Sequence, residues 1–411
     1  MAAPPAVRPS ARLPVRPSDS SLIISLLTMG VGAEVWERFG HNAILVQDRL
    51  HGTSIAYNYG LFDFRQENFV LRFIQGRMLY WMEGFDAAPM IEHYIHDNRT
   101  IWVQELNLSS EQSRALADFL EWNARPENRF YHYDYYKDNC STRVRDAIDR
   151  ILGGQMRAEM DTIPTGTTYR SHTERLTESD PALYSALLLA LGEPADHELS
   201  AWEEMFLPVE LHRWLAQVHV RGADGRPMAL VRAERTLYLS TRPVPPARPP
   251  HWLVAYLAAG VAIGAGLVVL ARRAVASRRA ARGFAWLAGG WTLMIGVAGG
   301  ILAFLWAFTD HTAAYRNENL FQANLLLLPL ALLAPRLARG SAWARQPAVT
   351  LAWAVAAVSV LGLLVKLLPG FDQANAEVLA FAVPANVGLG IGVSMVARQR
   401  PVSGGAPGVK D

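Results

Sequence analysis

Among its 411 residues the chain has a single cysteine, Cys140. That scarcity removes an intrachain disulfide and every zinc or iron–sulfur site built on several thiolates. Excess charge is missing too: the formal net charge is +2, and no basic stripe supports a nucleic-acid partner. No internal repeat is visible. The N-terminus, "MAAPPAVRPSARLPVRPSDSS", lacks the apolar core of a signal peptide. The following "SLIISLLTMGVG" is short, has no A-x-A-like site and reads as a first strand.

Apolar sequence is plentiful but unevenly placed. Most acids and histidines precede about residue 250, and long uncharged runs follow. Residues 252–271 and 284–309 carry no ionised side chain and are long enough to cross ~30 Å of hydrocarbon. Three more spans are expected: 320–337 with Gln322 and Asn324, 348–369 with Lys366, and 378–397 with Pro384 and Asn386. The expected C-terminal part is thus an all-α polytopic membrane domain of about five transmembrane helices. Arg272, Arg273, Arg278, Arg279 and Arg282 lie between the first two spans, Arg339 and Arg345 between the third and fourth, and Arg398, Arg400 and Lys410 after the last. The two remaining loops share one arginine, Arg316. By the positive-inside rule the C-terminus is cytoplasmic and the N-terminal part faces the outside of the inner membrane, the periplasm if the organism has two membranes. Either a start codon upstream or the first span is expected to supply export. A cytoplasmic N-terminal domain would require the whole arginine bias to be inverted.

The boundaries expected are a disordered tail at 1–20, a folded domain at 21–241, a Pro-rich linker at 242–250, membrane spans at 251–398 and a cytoplasmic tail at 399–411. Within the folded part, 21–28, 42–46 and 54–59 read as strands, and the "QDRLHG" turn makes the last two a hairpin. Residues 69–82 and 85–97 read as helices, and 101–108 as a strand. "SSEQSRALADFLEWNA" is a helix with a capping box from Ser109 to Gln112. "RVRDAIDRILGG" is a helix stopped by Gly153 and Gly154, and "MALV" and "TLYLS" are late strands. The domain is α+β.

Chemistry concentrates in "YHYDYYKDNCSTRVRDAIDRIL", which sets Cys140 at the start of a helix. The helix dipole and the free backbone N–H groups there are expected to lower the thiol pKa and to form an oxyanion hole. Of the candidate bases, His132 is nearest in sequence, but His41, in "ERFGHNAILVQD", has the better geometry at a strand edge. If hairpin partners sum to about 101, His41 lies near Gly60 and diagonal to Asn58, which would orient the imidazole. A one-residue slip would substitute Tyr57 or Tyr59. A lone cysteine is often a buried structural thiol, yet Asp138, Asn139, Ser141 and Thr142 are polar company. His93 and His96, three apart on a helix, hint at metal but have no further ligands of matched spacing, so no metal or cofactor is expected.

The stretches "LLTMGVGAEVWERFGHNAILVQD", "YNYGLFDF", "NFVLRFIQGRMLYWM", "YHYDYYKDNCSTRVRD" and "EEMFLP" resemble the periplasmic N-terminal domain of the Lnb family of lipoprotein N-acyltransferases. "FTDHTAAYRNENLFQANLLLLP" is similar to that family's membrane part. Histidine first and "NC" opening a helix later also resembles the circularly permuted papain-like fold of the lecithin:retinol acyltransferase group. That group's third residue falls here on Thr53, so Asn58 is the substitute.

The resemblance implies that Cys140, with His41 as base, takes an acyl chain from a membrane phospholipid as a thioester. It then hands the chain to the N-terminal amine of a diacylglyceryl lipoprotein. Glu37, Arg38, Asn139, Tyr135 and His311 are the substrate-binding candidates, His311 on a polar loop expected on the same side of the membrane as the active site. The rivals are a papain-like cell-wall peptidase or amidase and a non-catalytic membrane scaffold.

Overall fold

The computed structural model describes residues 21–221 and 225–398; the expected tails at 1–20 and 399–411 lie outside the described residues. The chain forms two compact units. The first holds the residues up to Ser179 together with His197–Arg248, and the second holds Asp180–Asp196 with the residues from Pro249 onward.

The first unit is built on a seven-stranded sheet. Its elements up to the cysteine are β1 (Leu22–Met29), β2 (His41–Asp48), β3 (Thr53–Leu61), α1 (Phe69–Gln75), β4 (Leu79–Asp86), α2 (Ala87–His96), β5 (Ile101–Leu106), α3 (Ser110–Asn123), β6 (Phe130–His132) and α4 (Cys140–Ile151). After these come α5 (Gln155–Met160), β7 (Pro164–Thr168), α6 (Tyr169–Thr177), β8 (Glu198–Ser200), α8 (Ala201–Glu204), α9 (Pro208–Leu215), β9 (His219–Arg221), β10 (Pro227–Ala229) and β11 (Val231–Tyr238). Between α6 and β8, α7 (Pro181–Ala190) belongs to the second unit. The sheet order is β11-β5-β1-β2-β3-β4-β6, and every pairing is antiparallel.

Sequence explains position in the sheet. "LIISLLTM" of β1 is apolar almost throughout because the strand is central and covered on both faces. β11, at an edge, carries exposed Arg232, Glu234 and Arg235, which discourage pairing with another chain. One face packs Leu26, Ile44 and Val46 against Leu116 and Leu120 of α3 and Val144 and Ile148 of α4. The other packs Leu27, Ala43, Leu45 and Ala56 against α2.

The β2–β3 register pairs Ala43 with Asn58 and Asp48 with Thr53, as the turn length predicts. Ser109 and Gln112 form the expected capping box on α3. One expectation fails here: the helix predicted over 69–82 ends at Gln75. Gly76, in the left-handed conformation at φ 72°, caps it, and the chain re-enters the sheet as β4. The helix expected over 85–97 is correspondingly shorter at its start, because Phe85 and Asp86 still belong to β4.

Among the described residues of the second unit four helices are long and apolar enough to cross a membrane: α10 (Leu253–Arg273), α11 (Arg278–Phe308), α13 (Arg345–Leu364) and α14 (Ala376–Arg398). The span expected at 320–337 is not one continuous helix: α12 (Leu327–Ala338) has 12 residues and a length of about 18 Å. Polar side chains interrupt the helix there. Gln322 donates to Ser359 O at 3.0 Å and Asn386 donates to Gln322 O at 3.2 Å, so this stretch is tied to its neighbours as a short turn. Small residues bring α10 and α14 together, because a Cβ on Gly264 would meet Pro384 O at 2.4 Å. Asn317 donates to Leu189 O and Ala190 O, at 3.0 and 2.9 Å, and thereby clamps the end of α7 within this unit.

Candidate active site

The charged step before His41 forms a brace. Residues 34–37 make a single helical turn whose last carbonyl, Glu37 O, accepts from Gly32 and Gly40 N–H at 3.0 Å each. Gly40, at φ 85°, turns the chain into β2. The Glu37 carboxylate lies 3.4 Å from Arg99 Nη1, and Arg99 Nε donates to Gly30 O at 2.9 Å. Arg99 is 4% exposed, its guanidinium stands over the Tyr94 ring at 4.8 Å, and Tyr94 stacks on His41 at 6.2 Å between centroids. Arg38 turns instead to Ser179 Oγ, at 3.4 Å.

Asn58 fixes the tautomer of His41. Its Nδ2 donates to Ala56 O at 3.0 Å and faces Met90 Sδ at 3.2 Å, so its Oδ1 is the atom turned to His41 Nε2, at 3.0 Å. An amide oxygen accepts only, hence Nε2 carries the proton and Nδ1 keeps the lone pair a base needs. Burial pushes the imidazole pKa down to about 4, the Asn58 bond opposes that, and the Arg99 charge adds to it. At neutral pH His41 is therefore uncharged.

Cys140 is the first residue of α4 and is buried. Asn139 caps the helix, its Oδ1 accepting from Ser141 N at 2.8 Å and Thr142 N at 3.0 Å. Asn139 Nδ2 donates to Tyr135 O at 2.8 Å and Phe206 O at 3.0 Å, and Ser141 Oγ donates to Met205 O at 2.7 Å. The helix start is thus held from both sides. A Cβ at Gly60 would approach Cys140 Cβ to 3.2 Å, and the β2–β3 pairing ends at Ala43 opposite Asn58, two residues short of both His41 and Gly60. The backbone N–H of Asn42, next to His41, bonds the sulfur, as do those of Ser141 and Cys140 itself. Cys140, His41 and Asn58 accordingly gather at one end of β2 and β3. Among the described residues no hydrogen bond joins Sγ to the imidazole. The lowered thiol pKa expected from the helix dipole is not found. Burial pushes it up to about 11, outweighing the three N–H groups and Arg99.

Behind the helix start lies a buried polar cluster. Glu204 accepts from Thr167 Oγ1 at 2.8 Å, His172 Nε2 at 2.9 Å, Trp214 Nε1 at 2.7 Å and Arg213 Nη2 at 2.6 Å. Arg175 Nε donates to His172 Nδ1 at 2.9 Å, and both arginines pair with Glu210. His172, Glu204 and Glu210 have the spacing of a metal site. The donor set does not fit one, because Glu204 already accepts four donors, Glu210 is paired with two guanidinium groups and His172 Nδ1 accepts from Arg175. The cluster anchors the Trp202–Phe206 stretch whose carbonyls hold Asn139, Ser141 and, at 2.8 Å, Arg145.

The other candidates are dispersed. His132 is exposed on β6, opposite Leu79, while His93 is exposed and pairs with Asp97. Tyr135 is 42% exposed, with its hydroxyl on Met78 Sδ at 3.2 Å. His311 belongs to the second unit, next to a short turn at Thr312–Ala314. Sequence reasoning missed Arg99, whose Nη2 is buried without a hydrogen-bond partner, and also Tyr94. Nothing local in "DNRTIW" marks a buried arginine; only the β1–β5 pairing brings it beside Gly30.

The geometry defines a class: an α+β domain with a helix-starting thiol and an asparagine-oriented histidine, carried on a chain with membrane-length helices. Residues 17–175 match the model of the Lnb N-terminal periplasmic domain and residues 261–369 that of the Lnb transmembrane domain, and the two matches support membership of the Lnb family. The chain is a multi-pass membrane protein with a periplasmic N-terminal domain. No curated protein and no solved structure matches it.

Proposed function

We propose that the chain is a lipoprotein N-acyltransferase of the bacterial inner membrane, working through a Cys140 thioester. The observation that carries this reading is a thiol at a helix N-terminus beside an imidazole whose Nε2–H is held by Asn58, which leaves Nδ1 free. Both groups are neutral at rest, so the thiol proton passes to His41 Nδ1 as sulfur attacks the ester carbonyl of a phospholipid. The N–H groups around Cys140 stabilise the oxyanion. The C–O bond then breaks, His41 returns its proton to the departing lysophospholipid hydroxyl, and the acyl group stays on sulfur. In the second half the lipoprotein amine attacks the thioester, gives a proton to His41, and the thiol is restored as the amide forms.

In the same reading the N-terminal unit is a circularly permuted papain-like domain, its active site is periplasmic and the C-terminus is cytoplasmic. The 318–338 segment completes a fifth crossing. Glu37 braces the histidine loop through Arg99, Asn139 and Tyr135 border the thiol, and Arg38 meets a polar part of the substrates.

Full-length protein in phospholipid liposomes is expected to accumulate a hydroxylamine-sensitive fatty acyl adduct. The adduct is absent in Cys140→Ala and forms on the order of 10²-fold more slowly in Asn58→Ala. Mass spectrometry of lipoprotein N-termini in cells carrying only this transferase reads the second half. Cleavage of muropeptides without a lipid adduct would identify a peptidase instead, and unchanged N-acylation in Cys140→Ala cells would leave a scaffold.

A further inference from the structure

Helix α1 is inside out. Val70, Leu71, Phe73 and Ile74 stand 68, 52, 46 and 44% exposed, whereas Arg72 and Gln75 are half-buried beside Phe69, which packs inward on Phe62 and Phe64. A solvated surface helix shows the opposite arrangement. Asn68 and Gly76, both in the left-handed conformation, fix its two ends, so the outward apolar face belongs to a defined turn-helix-turn. Phe64 at 63% and Trp36 at 50% exposure extend the face. A contiguous apolar surface of this kind on a folded domain marks a partner.

The face also leads inward. Trp36 and Phe64 pack edge-on against Phe62, at 6.5 and 5.1 Å between centroids. Phe62 stacks on Tyr80 at 5.1 Å, and Tyr80 on Tyr133 at 4.2 Å. Tyr133 lines the space over Gly60 together with Cys140, their nearest atoms 3.7 and 3.2 Å from where a Cβ would stand. Aromatic side chains thus run without a break from the exposed helix to the thiol.

We propose that α1, Phe64 and Trp36 insert into the lipid bilayer and that Phe62, Tyr80 and Tyr133 guide one acyl chain from there to Cys140. The bilayer is the occupant because the chain cannot leave it. Residues 239–252 alone separate β11 from the first membrane-length helix, a reach of at most about 50 Å when fully extended. Aliphatic and aromatic side chains on a short helix suit the headgroup–acyl boundary. The guidance half rests on the acyl-transfer reading; the insertion half does not.

The test uses full-length protein in phosphatidylethanolamine–phosphatidylglycerol liposomes. In a Cys140→Ser background, which has no other cysteine, Val70→Cys carries a bimane label. Insertion is expected to blue-shift its emission, expose it to nitroxide placed on lipid acyl chains and protect it from aqueous iodide. Quenching by iodide alone overturns the proposal, and so does a blue shift that disappears as the protein-to-lipid ratio falls, which would identify a second copy as the occupant. With Cys140 intact, Leu71→Glu combined with Ile74→Glu is expected to slow acylation of Cys140 from the bilayer roughly tenfold or more. Iodoacetamide alkylation of the thiol should stay within about twofold of wild type, which reports an intact site. Equal acylation in the double variant overturns guidance. A label that reports insertion in a protein that never acylates Cys140 refutes acyl transfer and leaves insertion standing.

Discussion

At the residue scale the site turns on a contest between two effects on one thiol. A helix N-terminus stabilises a thiolate by a fraction of its charge acting at close range, whereas removing the sulfur from water penalises the ion more strongly. Cys140 is 9% exposed, and desolvation wins. A pH profile follows. Alkylation of Cys140 by iodoacetamide in the folded protein is expected to be slow at pH 7–8 and to rise about tenfold per pH unit until about 11, while the unfolded chain levels off near the ordinary thiol value of 9.0. The linked stability has a definite sign. The folded thiol holds its proton up to about 11 and the unfolded one only to 9.0, so this group's contribution is complete below pH 9 and is lost as pH climbs from there towards 11. His41 acts at the other end. Its folded pKa of about 4 lies below 6.5, so its contribution is complete above 6.5 and is lost as pH falls towards 4. A folded-state alkylation profile that levelled off at or below pH 8 would mean the helix dipole prevails.

At the element scale, the legible parts were those whose local pattern and tertiary role agree. The apolar spacing Val144, Ala147, Ile148 announced α4, and the same residues are the ones buried against the sheet. The β2–β3 register was legible because a short turn leaves few alternatives, and it brought Asn58 to His41. β4 was not legible. "LYWMEGFD" continues the apolar run of α1, and Gly76 alone signals that the helix has stopped. The Glu204 cluster was hidden for a different reason, since its members lie at Thr167, His172, Arg175, Glu204, Glu210, Arg213 and Trp214 and meet only in the fold. Burial pushes the Glu204 carboxyl up, but bonds from His172, Trp214 and Thr167 outweigh it and hold the pKa at about 2. Glu204→Gln leaves buried donors unmatched and is expected to destabilise the domain by about 3–5 kcal/mol. Thermal unfolding of the full-length protein reads the loss. Faster alkylation of Cys140 should accompany it, because the carbonyls of Met205 and Phe206 hold the helix start. An unchanged unfolding midpoint would mean that the cluster is not what fixes this segment.

For the molecule as a whole, the question is how an α12 of about 18 Å can lie between loops whose arginines call for opposite sides of ~30 Å of hydrocarbon. Packing supplies the answer. Along α11, a Cβ on Gly299 would meet Ala323 O at 1.8 Å, one on Gly296 would meet Leu328 Cδ2 at 3.0 Å, and one on Gly289 would meet Pro335 Cγ at 3.0 Å. The 323–335 stretch therefore runs antiparallel to α11 over most of its apolar length, beginning where the chain is not yet helical. Non-helical backbone at that depth is tolerated only when its polar groups are satisfied inside the protein. Gln322 and Asn386 do this with Ser359, and Glu318 pairs with Lys366 nearby. The sequence carried that information in Gln322, Asn324 and Asn386, read there only as blemishes in apolar runs. Cysteine scanning in a Cys140→Ser background tests the path. In intact right-side-out cells, a membrane-impermeant maleimide is expected to label Asp372→Cys, and to label Ala276→Cys and Ala342→Cys only after permeabilisation. Labelling of Ala342→Cys from outside, with Ala276→Cys still protected, would turn α12 into a re-entrant helix and leave four crossings.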